Sequence, residues 1–478
     1  MILIILGRAT HFFLALLMMR VATTLLSPME MGRIALVTTT TAFFAMFLIN
    51  PVGMFINRKL HAWRDNGIAR YYLIRYVSYL AIISLCAMIL LSFLYSEGWL
   101  HIGMSLNWLI LLVCGSLIFN TINQTSIPSL NLLGDSKRFV LLSIATITAS
   151  FSFAAVLVHV IRPEAQFWLL GLLAGQVLVG LLGTKIFFKQ LKPFETEKQA
   201  PVIGKPHLRV LFSFSWPVSL AAGFAWIQAQ GYRYLFEGEA GLNQLGMFVA
   251  GYGISMGMIA GFESVLTTYF QPRLYKAAND GGVAQQILAW QSYAAAVIPS
   301  LILTVGLILS LVPELTKILL GVNFQAAAEF VVWGALAEAA RVLAGVYSLI
   351  AHVFMQTRWL IVPNFLAAVS AIAASMILIP MFGAKGAGMG LVISGCLMVT
   401  CLHFLLAKKV EGGIVIRPVA AALFAIAAML GATTFVRELL PLSGWPIAII
   451  VTGFTVLAYL MFQYYFLRQH LGGERKKT

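Results

Sequence analysis

The sequence predicts an all-α polytopic membrane protein of about 14 transmembrane helices, and three observations support this. Of the 478 residues, 60% are apolar and only 10% are charged, whereas soluble domains carry roughly 25% charged residues. The mean hydropathy is +0.90. Apolar runs of about 20 residues recur along the chain, and each can cross the roughly 30 Å of a bilayer core as a helix. These runs lack the alternation of a membrane barrel, the other structure that satisfies its backbone in lipid.

The apolar runs define the predicted helices. The first carries Arg8 and Arg20 and lacks both a basic leader and a small-residue cleavage site, so we expect a spanning helix and not a signal peptide. The four cysteines fall inside apolar runs without metal-ligand spacing and are expected to be packing residues. The runs cover residues 3–26, 31–55, 71–95, 106–125, 139–160, 166–190, 208–232, 244–270, 287–312, 326–355, 359–380, 386–407, 416–436 and 446–467.

A single long polar break, at 191–207, divides the helices into two sets. It contains prolines and charges of both signs, which is typical of a linker. We therefore predict an N-terminal six-helix lobe over 1–190 and a C-terminal six-helix lobe over 208–410. Residues 411–478 would form an appended helix pair with a basic tail.

The two lobes share short sequence echoes at a nearly constant offset. Arg20 matches Arg233, Gly32 matches Gly246, Arg58 matches Arg273, and residues 65–67 match 279–281, at offsets of 213, 214, 215 and 214. The offset spans six predicted helices, an even number, so both copies would cross the membrane in the same direction. This predicts a parallel repeat whose axis runs along the membrane normal.

The distribution of positive charge predicts the orientation of the chain. The net charge is +15, and 23 of the 32 lysines and arginines fall in loops and a tail on one side of the predicted helices. This is the positive-inside bias of membrane proteins, so it indicates cytoplasmic termini and not nucleic-acid binding. Acidic residues such as Glu97, Glu164 and Glu314 fall on the far side.

Motifs of soluble enzymes are absent from the sequence. There is no Walker loop, no dinucleotide-binding turn, no paired-cysteine metal motif and no Gly-x-Ser-x-Gly elbow. The glycine-rich stretch at 383–390 has no strand before it and is expected to be a tight turn between helices. A membrane-bound polysaccharide polymerase or ligase would need a large outer loop, which the chain lacks. We therefore expect a protein that is not an enzyme and has no cofactor or metal.

Three stretches resemble a known transporter superfamily: LLSPMEMG at 25–32, LLGVNFQAAAEF at 319–330 and ILIPMFGAKGAGMGLVIS at 377–394. Together with the six-plus-six-plus-two arrangement, they are similar to the multidrug, oligosaccharidyl-lipid and polysaccharide (MOP) exporters, and most to the polysaccharide and O-antigen flippases. The resemblance implies a bacterial inner-membrane protein that moves undecaprenyl-pyrophosphate-linked oligosaccharide to the outer leaflet, driven by an ion gradient. A glycan polymerase and a chain-length protein are candidate partners. Two alternatives stay open within the superfamily, a drug or metabolite antiporter and a lipid II flippase.

Charged residues inside the predicted helices are the candidate site. A charge at the centre of a spanning helix costs about 2.5–3.5 kcal/mol on insertion scales, so such residues usually face a cavity or a partner. Arginines in a central cavity would bind the pyrophosphate through charge-assisted hydrogen bonds, and buried carboxylates could carry the coupling ion. The candidates for substrate binding are Arg8, Arg20, Arg233 and Arg341, and those for ion coupling are Glu263 and Glu338.

Each candidate also has a structural alternative. Arg8 and Arg233 lie close enough to helix ends to extend towards the interface. Glu338 and Arg341 are three residues apart and could neutralise each other within one helix. Glu263 could pair with an arginine of another helix. The histidines His11, His352 and His403 are expected to be packing residues.

Overall fold

The structure is a computed structural model that describes residues 2–100, 102–191, 205–236, 238–280, 282–354, 356–406, 416–439 and 445–471, and these residues are helical or lie in short connections. The predicted linker lies almost wholly outside the described residues. In chain order the helices are α1 (Ile2–Leu25), α2 (Pro28–Phe44), α3 (Asn50–Asp65), α4 (Ala69–Ser96), α5 (Leu106–Leu132), α6 (Ser136–Val160), α7 (Ala165–Gln190), α8 (Lys205–Gln230), α9 (Gly238–Asp280), α10 (Val283–Ser310), α11 (Val312–Leu319), α12 (Ala328–Val353), α13 (Ile361–Phe382), α14 (Ala384–Leu406), α15 (Ile416–Leu439) and α16 (Trp445–Leu471).

The described helices confirm the predicted polytopic architecture. Twelve helical segments in the described part of the chain are long and apolar enough to span a bilayer, and shorter apolar stretches lie in α1 and α16. Adding those two gives the 14 helices predicted from the sequence. Several helices run past the apolar segment that predicted them, because polar residues continue the helix once it leaves the apolar layer. The 43-residue α9, for example, extends to Asp280.

Helices α2 and α3 form one continuous helical segment with a π-helical turn between them. The turn covers Ala45–Ile49, and the Asn50 amide at its end bonds to the Ala45 carbonyl five residues back. Pro51 follows directly and lacks the amide hydrogen of an ordinary helical residue. Proline also crowds the carbonyl four residues before it, and the wider π-helical turn relieves this steric conflict.

The stretch at 25–32 forms the tight connection from α1 to α2. Ser27 caps α2 by accepting a hydrogen bond from the Glu30 amide at 3.3 Å, and Pro28 begins the helix. The buried Glu30 carboxylate accepts a hydrogen bond from the Ala165 amide at 2.6 Å and pairs with Arg33 at 2.5 Å. Glu30 therefore joins the start of α2 to the start of α7, where a carboxylate is favoured by the helix dipole.

The chain divides into two compact units, residues 1–246 and 247–478. In the first unit α7 packs closely on α6: a Cβ placed on Gly171 would lie 2.3 Å from the Ala154 backbone. Asp135 closes the other end of this pair by capping α6 and accepting a hydrogen bond from Gln190 at 2.7 Å. The Arg138 backbone amide, which donates to Asp135, holds the pKa of that carboxyl below its usual value.

In the second unit the glycine-rich stretch differs from its prediction. Gly383 alone forms the turn, with φ +58°, and α14 already begins at Ala384. Gly386 and Gly390 lie against α13, where a Cβ on Gly386 would lie 2.1 Å from the Leu378 carbonyl oxygen, and Gly388 lies against Trp333 of α12. The prediction of a tight turn over 383–390 was wrong because glycine here serves the close approach of two helices.

The N-terminal parts of α2 and α9 cross at a reciprocal contact within the first unit. A Cβ placed on Gly32 would lie 2.1 Å from the Leu242 carbonyl oxygen, and one on Gly246 would lie 1.7 Å from the Pro28 carbonyl oxygen. Both Gly32 with Gly246 and Pro28 with Leu242 are 214 residues apart. Residues related by the predicted repeat thus make equivalent contacts with each other, which supports the repeat.

Candidate substrate and coupling sites

Arg233 lies in a 3-10 turn after α8 and reaches the threonine run of α2. Its Nη1 donates to Thr39 Oγ1 at 2.9 Å, and its guanidinium lies 5.9 Å from the centre of the Tyr232 ring. Beside Arg233, the hydroxyl groups of Thr40 and Tyr234 form a hydrogen bond of 2.7 Å. The hydrogen-bond partners of Arg233 among the described residues are thus hydroxyls. A half-exposed guanidinium held by neutral groups keeps its full positive charge for an anionic ligand.

The tryptophan before this turn fixes the same strip of α2. Trp226 Nε1 donates to the Thr39 carbonyl at 3.1 Å, and its ring meets Phe43 edge-on at 5.0 Å. Thr39 is fully buried. Because its carbonyl and its hydroxyl both carry hydrogen bonds, the position of Arg233 is set by buried groups of the first unit.

The other two predicted arginines of the first unit lie on α1. Arg20 is half-buried near the end of α1, and its carbonyl accepts hydrogen bonds from Thr24 at 2.7 Å and Thr23 at 3.1 Å. The Arg8 side chain lies outside the described residues. A role for either in substrate binding stays a prediction.

Three predicted residues of the second unit come together as a charged cluster, which we call the triad: Glu263, Glu338 and Arg341. Arg341 Nε binds Glu338 at 2.6 Å, and its Nη2 binds Glu263 at 2.8 Å. Tyr252 donates its hydroxyl hydrogen to the second oxygen of Glu338. Both structural alternatives foreseen for these residues occur together, since Arg341 pairs within α12 and also with α9.

The triad is unevenly exposed and carries excess negative charge. The Glu338 side chain is 4% exposed, whereas Glu263 is 30% and Arg341 is 47% exposed. With both carboxylates ionised, two negative charges face one positive charge, so the net charge is −1. A single proton on either carboxylate would neutralise the triad.

A small cavity adjoins Glu263, the more exposed carboxylate of the triad. It has a volume of about 200 Å³, and Glu263, Thr267, Ser348 and His352 are among its lining residues. His352 was expected to be a packing residue, but it shares this cavity with Glu263. His403 fits the expectation, because its Nδ1 lies 2.9 Å from the Tyr347 hydroxyl.

The fold matches solved transporter structures over most of its length, while no protein-family profile and no curated protein matches the sequence. The lipid II flippase MurJ in an inward closed conformation matches with a TM-score of 0.67 at 16% identity, over 98% of this chain and 99% of that one. An inward-facing multidrug resistance MATE transporter of the MOP superfamily matches with a TM-score of 0.60 at 14% identity, over 84% of this chain and 93% of that one.

The chain has the fold of the MOP superfamily. A MOP transporter from Pyrococcus furiosus adds a further match, with a TM-score of 0.52 at 13% identity, over 85% of this chain and 92% of that one. With this MOP fold and its apolar helices, the chain is a multi-pass membrane protein. At these identities the likeness is one of fold.

Within the MOP fold, sequence reasoning missed several polar residues that the structure places in or beside candidate sites. Tyr252 donates a hydrogen bond to Glu338 of the triad, and Thr39 accepts one from Arg233. A single hydroxyl in an apolar helix does not indicate from the sequence which distant residue it will contact. A polar face on α5 was more visible, because Asn120, Asn123 and Gln124 follow the spacing of one helix face. They line a cavity of the first unit.

Proposed function

We propose that this chain is a flippase that moves an undecaprenyl-pyrophosphate-linked oligosaccharide, an O-antigen or exopolysaccharide repeat unit, from the inner to the outer leaflet. It would work by alternating access in the bacterial inner membrane with both termini cytoplasmic. Transport would be coupled to an ion gradient. A glycan polymerase and a chain-length protein would act on the product.

The observation that carries this proposal is the appended pair α15 and α16. These helices border an open apolar groove of about 900 Å³, lined by Phe424, Phe454, Leu457 and Met461 among others. A polyprenyl chain is a long apolar ligand and needs such a surface. The flippase match covers 98% of this chain, whereas the MATE match covers 84%. A fold of this length favours a lipid-linked substrate over a drug or metabolite.

The position of Arg233 supports the proposal for the anionic part of the substrate, the pyrophosphate. A pyrophosphate brings several negative charges out of the headgroup layer, and a guanidinium can bind two of its oxygens at once. Arg233 offers such a group from a span-end position beside hydroxyl donors. Arg8 and Arg20 are proposed to assist it from α1.

The triad supports coupling to protons. Protonation of Glu263 would remove the charge attraction between its Oε2 and Arg341 Nη2, now 2.8 Å apart. Arg341 would then keep its bond to Glu338 and gain a free N–H edge for an anionic ligand. Proton binding and substrate binding would thus be linked through one guanidinium, with the adjoining cavity as a proton route.

A lipid II flippase is the second candidate, favoured by the TM-score of 0.67 to MurJ. Both substrates are polyprenyl pyrophosphates, so the same groove and arginine would serve either one. The two candidate substrates therefore differ in the glycan that the pyrophosphate carries.

Genetic complementation tests the proposal directly. The chain should restore surface polysaccharide in a host that lacks its own repeat-unit flippase, at matched membrane expression. It should not support growth of a host depleted of its lipid II flippase. Growth of the depleted host would select the second candidate. Failure in both hosts, with resistance to cationic drugs instead, would refute the flippase assignment.

A further inference from the structure

The first unit contains a second site that the arginine-based scheme leaves unused. A cavity of about 510 Å³ lies between α1, α5, α6 and α7, and we call it the amide pocket after the side chains Asn120, Asn123, Gln124 and Gln176 that line it. Its volume falls within the roughly 300–1,000 Å³ of small-molecule sites. All its lining residues belong to the first unit.

Part of the polar lining holds the pocket together. Asn123 Nδ2 donates to Thr146 Oγ1 at 3.3 Å, which links α5 to α6, and also lies 3.5 Å from the Gln176 carbonyl of α7. Ser150 donates to the Leu172 carbonyl at 3.0 Å. These bonds fix the walls of the cavity through buried groups.

The remaining polar lining has no such structural use. Asn120, Ser143 and Gln176 are half-buried, and their side chains make no hydrogen bond to another residue within the described part of the chain. Each amide offers two donor hydrogens and one acceptor oxygen. Leaving such groups unpaired inside a spanning helix is costly unless water or a ligand satisfies them. The pocket therefore presents unused donors and acceptors to whatever occupies it.

The chemistry of the lining selects an uncharged ligand. Among the described lining residues His11 is the one ionisable group, and they include no carboxylate, lysine or arginine. These residues offer a metal ion or an organic cation no carboxylate, and they offer a phosphate no guanidinium. Phe139 and Pro128 add apolar surface beside the amides. Amides together with an aromatic face suit a ring that carries hydroxyl groups on its edge and C–H groups on its face.

We infer that the amide pocket binds a neutral sugar residue of the transported glycan, separately from the pyrophosphate at Arg233. This inference rests on the proposed function and names a part of the substrate that it leaves open. The pocket reaches the ends of α5 and α6 beside Lys137 and Arg138, which the charge distribution places in the cytoplasm. A sugar subsite there would engage the glycan on the side where the substrate is loaded.

Two variants test the subsite without disturbing the fold. Asn120→Leu and Gln176→Leu remove amides that have no hydrogen-bond partner among the described residues, so the purified full-length chain should keep its thermal stability. Thr148→Val is the matched control, because Thr148 is exposed on α6 and does not line the pocket. The probes are inorganic pyrophosphate and the neutral oligosaccharide released from the host's own lipid-linked pool, each titrated onto protein in nanodiscs.

We expect each amide variant to bind the oligosaccharide roughly tenfold more weakly, since two hydrogen bonds are lost. Pyrophosphate affinity should stay within about twofold of the wild type, and Thr148→Val should match the wild type with both probes. Unchanged oligosaccharide affinity in both amide variants, while the wild type complements the flippase mutant, would overturn the subsite and leave water as the occupant. Failure of the wild type to complement would instead overturn the proposed function.

Discussion

Arg233 keeps its charge beside hydroxyl groups, and this separates it from the arginines that pair with carboxylates. Arg341, Arg33 and Arg437 all bind carboxylates. A guanidinium already paired with a carboxylate offers an anion less net attraction than one held by threonine and tyrosine. The charge of Arg233 is therefore better placed to act on a ligand than the charges of those three arginines. The sequence alone placed Arg8, Arg20, Arg233 and Arg341 in one candidate set.

Two substitutions of Arg233 should distinguish the contribution of its charge to glycan export from that of its planar geometry. Arg233→Gln should lower glycan export at least tenfold, because the charge-assisted bonds are lost. Arg233→Lys should retain part of the activity, since it keeps the charge but loses the planar fork. Thr39→Val should weaken export by a smaller factor by releasing Nη1. Surface polysaccharide per unit of membrane-inserted protein is the measurement, and wild-type export by Arg233→Gln would remove Arg233 from the site.

The triad makes a separate prediction about coupling. Glu263→Gln keeps an acceptor for Arg341 but cannot take up a proton, so export should lose its dependence on an imposed pH gradient. Tyr252→Phe removes the hydrogen bond to Glu338 without changing any charge and should keep that dependence. Transport in vesicles with and without the gradient provides the readout. An unchanged pH response in Glu263→Gln would show that coupling resides elsewhere.

The positions of the helices could be predicted well, because apolar length is a local property of the sequence. The predicted run at 166–190 and α7 differ by one residue at their start, and the run at 386–407 differs from α14 by two. The spacing of Glu338 and Arg341 likewise predicted their pairing on one helix. That Arg341 is the interhelical partner of Glu263 could not be predicted, since the contact joins residues 78 positions apart on separate helices.

Close helix crossings give a prediction that concerns α2 and α9. Gly32→Ala and Gly246→Ala would each place a methyl group within about 2 Å of a backbone carbonyl oxygen, which demands a backbone shift. Overpacking of this kind costs roughly 1–3 kcal/mol. Gly257→Ala is the control on the same helix, because its Cβ would meet no atom within 4 Å, and it should be neutral or slightly stabilising. Thermal unfolding in detergent decides, and equal melting temperatures for all three variants would contradict the reciprocal contact.

The appended helix α15 is attached to its unit by an ion pair. Arg437 binds Glu314 through Nε at 3.0 Å and Nη2 at 2.6 Å, and the Glu314 side chain is 9% exposed. Arg437→Leu leaves a buried carboxylate unpaired and should destabilise the fold by about 3–5 kcal/mol. The double variant Arg437→Leu with Glu314→Gln should recover part of this loss. An additive double mutant would show that the two residues do not interact.

At the scale of the whole molecule, the sequence could predict the number of helices and the repeat but not the sites within the fold. The echo of Gly32 in Gly246 was a local match, and the structure gave it a physical basis in a mutual backbone contact. The amide pocket needs four helices to converge, and only its α5 face could be read from residue spacing. Residue spacing within one helix therefore cannot predict a site that is formed by residues of several helices.

Orientation is the property of the whole chain on which the direction of transport depends. If the positive-inside bias is right, a cysteine replacing Lys137 before the apolar part of α6 faces the cytoplasm, and one replacing Glu97 after α4 faces outward. Both residues are exposed. In a background without the four native cysteines, a membrane-impermeant maleimide should label position 97 in intact spheroplasts and position 137 only in inverted vesicles. The opposite labelling pattern would show that the chain has the inverted orientation. The amide pocket would then open on the side where the glycan is released and could not bind the substrate during loading.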